Sequence, residues 1–345
     1  MPSPARLIVD LNALSENFHT LARIGGAPVT PVVKADAYGL GAAAVARKLM
    51  TEGADTFFVA RLSEGDALRQ TLGSRPKIYV LDGCGPSDVL RLQAARLRPV
   101  LSSAEQIRRW LSSDGGPAAL HIDTGMNRLG VRPEDAPEPF PGLEMVVSHL
   151  ACSDDPYDAM NAAQRSAFEL VSRRYPGTVR SFANSGGCFL GPDFAFDALR
   201  PGISLYGGGP EGRPDERLKP VAALRAEILQ VRNVPAGETV GYARGFTAER
   251  PMSVAVAGAG YADGILRSNS PRGRVYVGGE IRPILGRISM DLIAIDVTDL
   301  DVGPGELVEL FGPHHPIDDA AADAGTIAYE LLTSVGARVQ RSYVG

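Results

Sequence analysis

The chain holds 345 residues, room for about two domains at roughly 150 residues each, so a single small module is excluded. Hydrophobic residues make up 44% and charged residues 22%, with 35 Lys and Arg against 40 Asp and Glu; this argues against a disordered or membrane chain. The net charge is −5 and no basic block stands out, which argues against nucleic acid as a partner.

From residue 30 to 206 short apolar runs recur at Thr30–Val33, Thr56–Ala60, Lys77–Leu81, Arg98–Leu101, Ala118–Ile122, Leu143–Val147, Val179–Ala183 and Ala198–Leu205. Helical spacing fills the gaps at Gly39–Glu52, Glu64–Leu72, Ser87–Leu97, Ala104–Leu111 and Tyr157–Tyr175. In the last of these, Met160, Ala163, Ala167, Leu170 and Val171 form one apolar stripe. Eight strand-like runs alternating with helices is the count of a (β/α)8 barrel, although a doubly wound open sheet gives a similar pattern. After Lys219-Pro220 the helical spacing stops. Ala226–Val231, Ser253–Val256, Arg274–Val277, Leu292–Val297 and Leu307–Leu310 alternate polar with apolar residues between glycine turns, and only Ile317–Leu332 is helical again. The expected architecture is α/β: an N-terminal (β/α)8 TIM barrel over residues 1–219, then a mainly β domain over 220–345.

Cys84, Cys152 and Cys188 make neither a CxxC pair nor an even disulfide framework. The apolar run Leu7-Ile8-Val9 is too short for a secretory core, and no run reaches the ~18 apolar residues of a membrane helix. A cytoplasmic protein with no membrane association is expected.

Barrel enzymes build their sites at the carboxyl ends of the strands, so reactive side chains should follow the apolar runs. Lys34 follows Val32-Val33, Asp123 follows Ile122, His149 follows Ser148, Asn184-Ser185 follow Ala183, and Arg200 interrupts the eighth run. A lysine at a strand end loses solvation, its ammonium becomes more acidic, and the neutral amine can form a Schiff base with an aldehyde. Position alone equally fits a lysine whose methylenes lie along the strand with the charge in water.

The string Val33-Lys34-Ala35-Asp36-Ala37-Tyr38-Gly39 resembles the pyridoxal 5'-phosphate lysine motif of the alanine racemase family, fold type III. His121-Ile122-Asp123-Thr124-Gly125-Met126-Asn127-Arg128, Val147-Ser148-His149, Ala183-Asn184-Ser185 and Arg200-Pro201-Gly202-Ile203 resemble further motifs in the same order. So do Val240-Gly241-Tyr242, Gly260-Tyr261-Ala262-Asp263-Gly264 and Gly286-Arg287-Ile288-Ser289-Met290-Asp291.

The resemblance implies a homodimer that interconverts L- and D-alanine by two-base proton transfer, supplying D-alanine for peptidoglycan. Lys34 is then the cofactor lysine and one base, and Tyr242, reaching in from the partner subunit, is the other. His149 and Arg200 are expected to help stabilise the tyrosine's phenolate. Tyr38, Leu81, Asn184, Ser185, Gly202 and Ile203 are expected to contact the cofactor, its phosphate above all. Arg200 is placed at the pyridine nitrogen; a guanidinium keeps its proton, so the ring stays a weak electron sink. Without the motif, Arg200 would as readily pair with Asp197. Arg128 is assigned to the cofactor's phenolic oxygen and the substrate carboxylate, with the Met290 amide completing that subsite. Tyr261, Arg267, Arg287 and Asp154 are placed along the entrance.

Two positions depart from the pattern. His121 stands where several members carry a lysine that supports the arginine, and Ala337 where many carry a tyrosine that reaches the phosphate. The latter loss predicts weaker cofactor retention or tolerance of larger side chains. No metal site is expected, His314-His315 lying between prolines without a cysteine nearby. Two alternatives stay open: a racemase of broader specificity, for example towards serine, and a non-catalytic pyridoxal-phosphate-binding protein.

Overall fold

The computed structural model describes residues 4–345, which form two compact units. One runs from Leu14 to Leu205; the other combines the residues up to Ala13 with Tyr206–Gly345.

In the first unit six short parallel strands pair in chain order: Thr56–Val59, Lys77–Val80, Arg98–Leu101, Ala118–His121, Leu143–Val147 and Val179–Ser181. Single parallel bridges, Val32 to Phe58, Ser181 to Ala198 and Val29 to Leu199, add two extended segments and close the ring into a barrel. Backbone bonds from Phe58 to Pro31 (2.9 Å) and from Thr30 to Leu199 (2.8 Å) hold the seam. The inner strand residues are buried on both faces, which is why these strands read as continuous apolar runs and not as alternations. Phe58 and Tyr79 stack with centroids 5.1 Å apart inside the barrel wall.

Two features differ from the sequence expectation. The run Ala198–Leu205 is not one strand: after Ala198 and Leu199 the chain turns at Pro201-Gly202 and continues as a 3-10 turn over Ile203–Tyr206. The helix expected over Tyr157–Tyr175 is Ala159–Ser172, and it buries Asn161, Gln164, Phe168, Val171 and Ser172, whereas Ala163 and Leu170 face solvent. Polar side chains won the inner face because they find backbone partners there. Asn161 donates to the carbonyls of Cys152 (3.1 Å) and Asp155 (2.8 Å), and Gln164 donates to the His149 carbonyl (3.0 Å). A buried amide with satisfied donors costs little, so the polar face can point inward.

In the second unit the long strand Ala222–Val234 is the hub. Its first half pairs with Ala5–Asp10 and Leu307–Phe311, and its second half with Met252–Ala257. Ile293–Asp296, Glu280–Leu285 and Arg274–Val277 complete an antiparallel circuit back to Leu307–Phe311. Ala5–Asp10 also pairs in parallel with Gln340–Val344. A small core of Val234, Ala248, Met252, Val254 and Leu285 lies beneath these strands. The helical segment expected over Ile317–Leu332 is two helices, Ile317–Ala324 and Ala328–Ser334, parted where Gly325 takes the left-handed φ of +71° that ends the first. Among the described residues no helix is long and apolar enough to cross a membrane.

Candidate active site

Lys34 opens an unusual loop. Ala35, Asp36, Ala37 and Tyr38 all have φ between 52° and 57°, one turn of left-handed helix that L-residues adopt at a cost of roughly 1–2 kcal/mol each. Local bonds offset that cost. Glu64 accepts the Ala35 amide (2.8 Å), Asp36 accepts the Ala42 amide (2.7 Å), and Gly39 bonds back to Ala35 (2.8 Å). The turn fixes the lysine at the strand end and swings Tyr38 into the interior, where it is buried.

The Lys34 amine is more acidic than an ordinary lysine, first because burial disfavours the ammonium and then because Arg128 and Arg200 repel it. His149 is pushed well below its usual range by burial, with Arg200, Arg128, His121 and Lys34 adding to the effect. Lys34, Arg128, His149 and Arg200 therefore act in one field, as four residues from four different strand ends of the barrel.

Arg200 is buried, yet among the described residues no carboxylate pairs with it. Its guanidinium donates to the Ser181 carbonyl (2.8 Å), the Ser181 hydroxyl (2.7 Å) and the Ser148 carbonyl, and lies 5.7 Å from the Phe58 ring centre. Burial lowers its pKa to about 10, which still leaves it protonated at neutral pH. The pairing with Asp197 is corrected: Asp197 holds Arg180 in a bidentate contact at 2.9 Å on each branch. Arg128 is exposed and makes no hydrogen bond or ion pair among the described residues. His121 is held neutral at pH 7, burial first and then the charge of Arg200 lowering its pKa to about 4, so it adds no positive charge beside Arg128.

Ser185, after the seventh strand, meets Gly202, after the eighth segment, and Gly202 lies against Tyr38. The Ser185 hydroxyl accepts the amides of Gly202 (2.9 Å) and Ser204 (3.2 Å). A Cβ at Gly202 would lie 2.0 Å from the Tyr38 hydroxyl, so only glycine lets the turn approach that ring. The Ser204 hydroxyl is buried without a partner among the described residues. Amides, hydroxyls and a glycine turn opening the Ile203 3-10 turn form a cradle suited to a phosphate, and an acidified lysine amine is suited to an aldehyde; together they fit pyridoxal phosphate. The Asn184 carboxamide bridges two loops, bonding Gly187 (2.9 Å) in its own and Ser153 (2.8 Å) and Leu150 (3.5 Å) in the loop after His149. Leu81 closes the third strand, its amide bonded to Val59 at 2.9 Å, and Asp154 sits exposed in the loop after His149.

In the β unit, Tyr242 stands at the tip of a hairpin formed by Thr239–Val240 and Phe246–Thr247, with its side chain 70% exposed. Gly241 and Gly245 at the base of the tip lie against Arg287. Tyr261 and Met290 are joined through backbone: Tyr261 N to Ser289 O and Ala262 N to Met290 O, both 3.0 Å. Met290 is 52% exposed, and Tyr261 also faces solvent. Arg267 and Arg287 line a recess with Ser270 and Pro271. No motif or spacing pointed to Arg338, which is bidentate to the buried Asp263 (2.7 and 2.8 Å) and contacts Asp291 (2.8 Å), tying the Tyr261 and Met290 loops together. Ala337, beside it, is exposed. His314 and His315 sit around Glu309 and Leu310 in a loop, and no group of metal-ligating side chains occurs among the described residues.

The comparisons with known proteins agree. A family model for the alanine racemase N-terminal domain matches residues 9–210, and one for its C-terminal domain matches residues 221–343. The chain is 45% identical to an alanine racemase of Acidiphilium cryptum, covering 97% of each, and 44% identical to a catabolic alanine racemase of Agrobacterium fabrum, covering 98% of the chain and 92% of that protein. Among solved structures, the Bartonella henselae alanine racemase with covalently bound pyridoxal phosphate superposes with a TM-score of 0.93 at 39% identity, over 99% of this chain and 100% of that one. With both halves of the chain matched and the cofactor cradle in its barrel, the chain belongs to the alanine racemase family of pyridoxal-phosphate-dependent isomerases.

Proposed function

We propose that Lys34 and Tyr242 are the two bases with which this racemase interconverts L- and D-alanine. The observation that carries it is the desolvated Lys34 amine set in the field of two guanidiniums, Arg128 and Arg200. Pyridoxal phosphate, when bound, supplies an electron-withdrawing ring that acidifies the α-hydrogen of the amino acid. Ser185, Gly202, Ile203 and Tyr38 would hold its phosphate, Leu81 would lie beside it, and Asn184 ties the Ser185 loop to the loop after His149. Arg200, locked by three bonds, would be the group at the ring nitrogen, and its guanidinium would keep its own proton and give none to the ring. Arg128, without a bonded partner among the described residues, has both branches available for the substrate carboxylate, a geometry that suits a planar fork.

Lys34 Nζ takes or returns the α-proton on one face, helped by the two guanidiniums that favour its neutral form. The opposite face requires a second base. Tyr242, displayed on a hairpin tip, and the Met290 amide serve it from the partner subunit of a homodimer, with Tyr261, Arg267, Arg287 and Asp154 along the approach. The exposure of Tyr242, Tyr261 and Met290 supports this, since such side chains gain from being covered. The enzyme acts in the cytoplasm, and its D-alanine serves peptidoglycan synthesis.

Deuterium incorporation at the α-carbon of L-alanine, D-alanine, L-serine and L-lysine tests the assignment. Wild-type protein is expected to exchange both alanines fastest, Lys34→Ala to lose exchange and the visible absorbance of bound cofactor, and Tyr242→Phe to keep the absorbance while slowing exchange from L-alanine. Full activity of Tyr242→Phe in both directions overturns the second base. Exchange of serine at the rate of alanine favours the broader specificity that an open Ala337 allows.

A further inference from the structure

We propose that Gln164 is a positioning residue for the reaction: its buried carboxamide sets the His149 loop in register with the loop that leads to Arg128. This rests on the assignment of the barrel mouth as the cofactor site. Gln164 is fully buried on the helix Ala159–Ser172, and every arm of its amide is committed to the backbone or hydroxyl of a site loop. Nε2 donates to the His149 carbonyl (3.0 Å) and to the Thr124 hydroxyl (3.2 Å), while Oε1 accepts the Ala151 amide (2.9 Å). Thr124 in turn shares a hydrogen bond with the Ser148 hydroxyl (2.8 Å), and the Ser148 carbonyl accepts from Arg200. A continuous chain of bonds thus runs from Arg200 through Ser148 and Thr124 to Gln164 and back to His149.

Shape supports the same role. A Cβ at Gly125 would meet the Met160 methyl at 2.5 Å and Gln164 at 3.8 Å, so the turn three residues before Arg128 rests directly on this helix. A carboxamide places a two-hydrogen donor and an acceptor on one rigid plane, which matches the three bonds made here. A carboxylate would set an acceptor against the His149 carbonyl, and an apolar side chain would leave the Ala151 amide and the His149 carbonyl unpaired.

Gln164→Met, with Gln164→Glu as the second variant should the first not fold, is compared with Phe168→Leu, a core change one turn along the same helix face. Hydrogen exchange is followed in the cofactor-free protein over residues 148–153, and turnover of alanine per bound cofactor in the loaded enzyme. The Gln164 variant is expected to exchange the Ala151 amide at least tenfold faster and to lose at least tenfold in kcat per bound cofactor, while the absorbance of Lys34-bound cofactor persists. Phe168→Leu is expected to lower Tm without either change. If both variants lower Tm alike and leave exchange and kcat within twofold of wild type, Gln164 is only a helix-packing residue and the proposal is overturned. Wild-type protein that neither binds pyridoxal phosphate nor racemises alanine would instead overturn the underlying site assignment.

Discussion

Glu64 accepts the amide of Ala35 at 2.8 Å with one oxygen and those of Ala60 and Arg61 at 2.7 and 3.1 Å with the other. One carboxylate thus ties the left-handed turn after Lys34 to the next loop of the barrel. Glu64→Gln keeps the size but offers a single acceptor oxygen, so at least one amide is lost, a change of about 1–3 kcal/mol. It also removes a charge that favours the Lys34 ammonium, making the amine more acidic still. We expect a lower Tm and cofactor dissociation about tenfold faster, read from the decay of bound-cofactor absorbance after dilution; unchanged retention refutes the anchor.

Gly202→Ala places a methyl 2.0 Å from the Tyr38 hydroxyl. One of the two must move, and both lie in the phosphate cradle. Affinity of the cofactor-free protein for pyridoxal phosphate is expected to fall at least tenfold. Adding Tyr38→Phe, which removes the clashing oxygen, should restore part of the lost Tm. A double variant no more stable than Gly202→Ala alone would locate the strain elsewhere.

Acid sensitivity comes from His121. Its folded pKa of about 4 lies below the ordinary value of 6.5, so between those values the unfolded chain binds a proton that the folded chain refuses. Stability is full above pH 6.5 and falls as the pH drops towards 4, by up to about 3 kcal/mol from this residue, with His149 shifted in the same direction. The urea midpoint of cofactor-free His121→Gln should fall less between pH 7 and pH 4.5 than that of wild type. Parallel curves would show that His121 does not control the limb.

Removing Arg338 strands the Asp263 carboxylate, 4% exposed, with the Gly260 amide as its remaining side-chain bond at 2.8 Å. Because Arg338 itself is half exposed, solvent screening reduces the loss, which falls mainly on the buried Asp263 carboxylate. Arg338→Met is expected to lower Tm and to raise KM for alanine, by loosening Met290. Pairing it with Asp263→Asn should recover much of the Tm. If the double variant is as unstable as the sum of the singles, the two residues do not act as a pair.

The barrel was legible because its strands are apolar on both faces, and the lysine, arginine and histidine loops because each follows such a run. The residues that hold those loops were not. Glu64, Gln164 and Arg338 act mainly through backbone groups or distant carboxylates, and nothing in a local window distinguishes them from ordinary polar residues of a helix or turn. Gln164 was hidden further by its neighbours, since Ala163, Ala167 and Leu170 suggested a stripe that the folded helix turns away from the core. Ala5–Asp10 went unread as a strand because Leu7-Ile8-Val9 is a three-residue apolar run that hides the alternating burial of the segment, and the partners that would reveal it lie more than two hundred residues away.

That first strand also sets an order of events during synthesis. Ala5–Asp10 lies between Ala222–Val234 and Gln340–Val344, so neither of its edges can pair until the ribosome has made the whole of Leu14–Leu205, and one edge waits for the last strand of the chain. At about 5–20 residues per second this delay is on the order of 20 to 60 s, long enough for the barrel to form first from one uninterrupted stretch of chain. The β unit, assembled from both ends of the polypeptide, is necessarily the last to close, and a chain truncated before Gln340 would leave a bare strand edge open to pairing with another molecule.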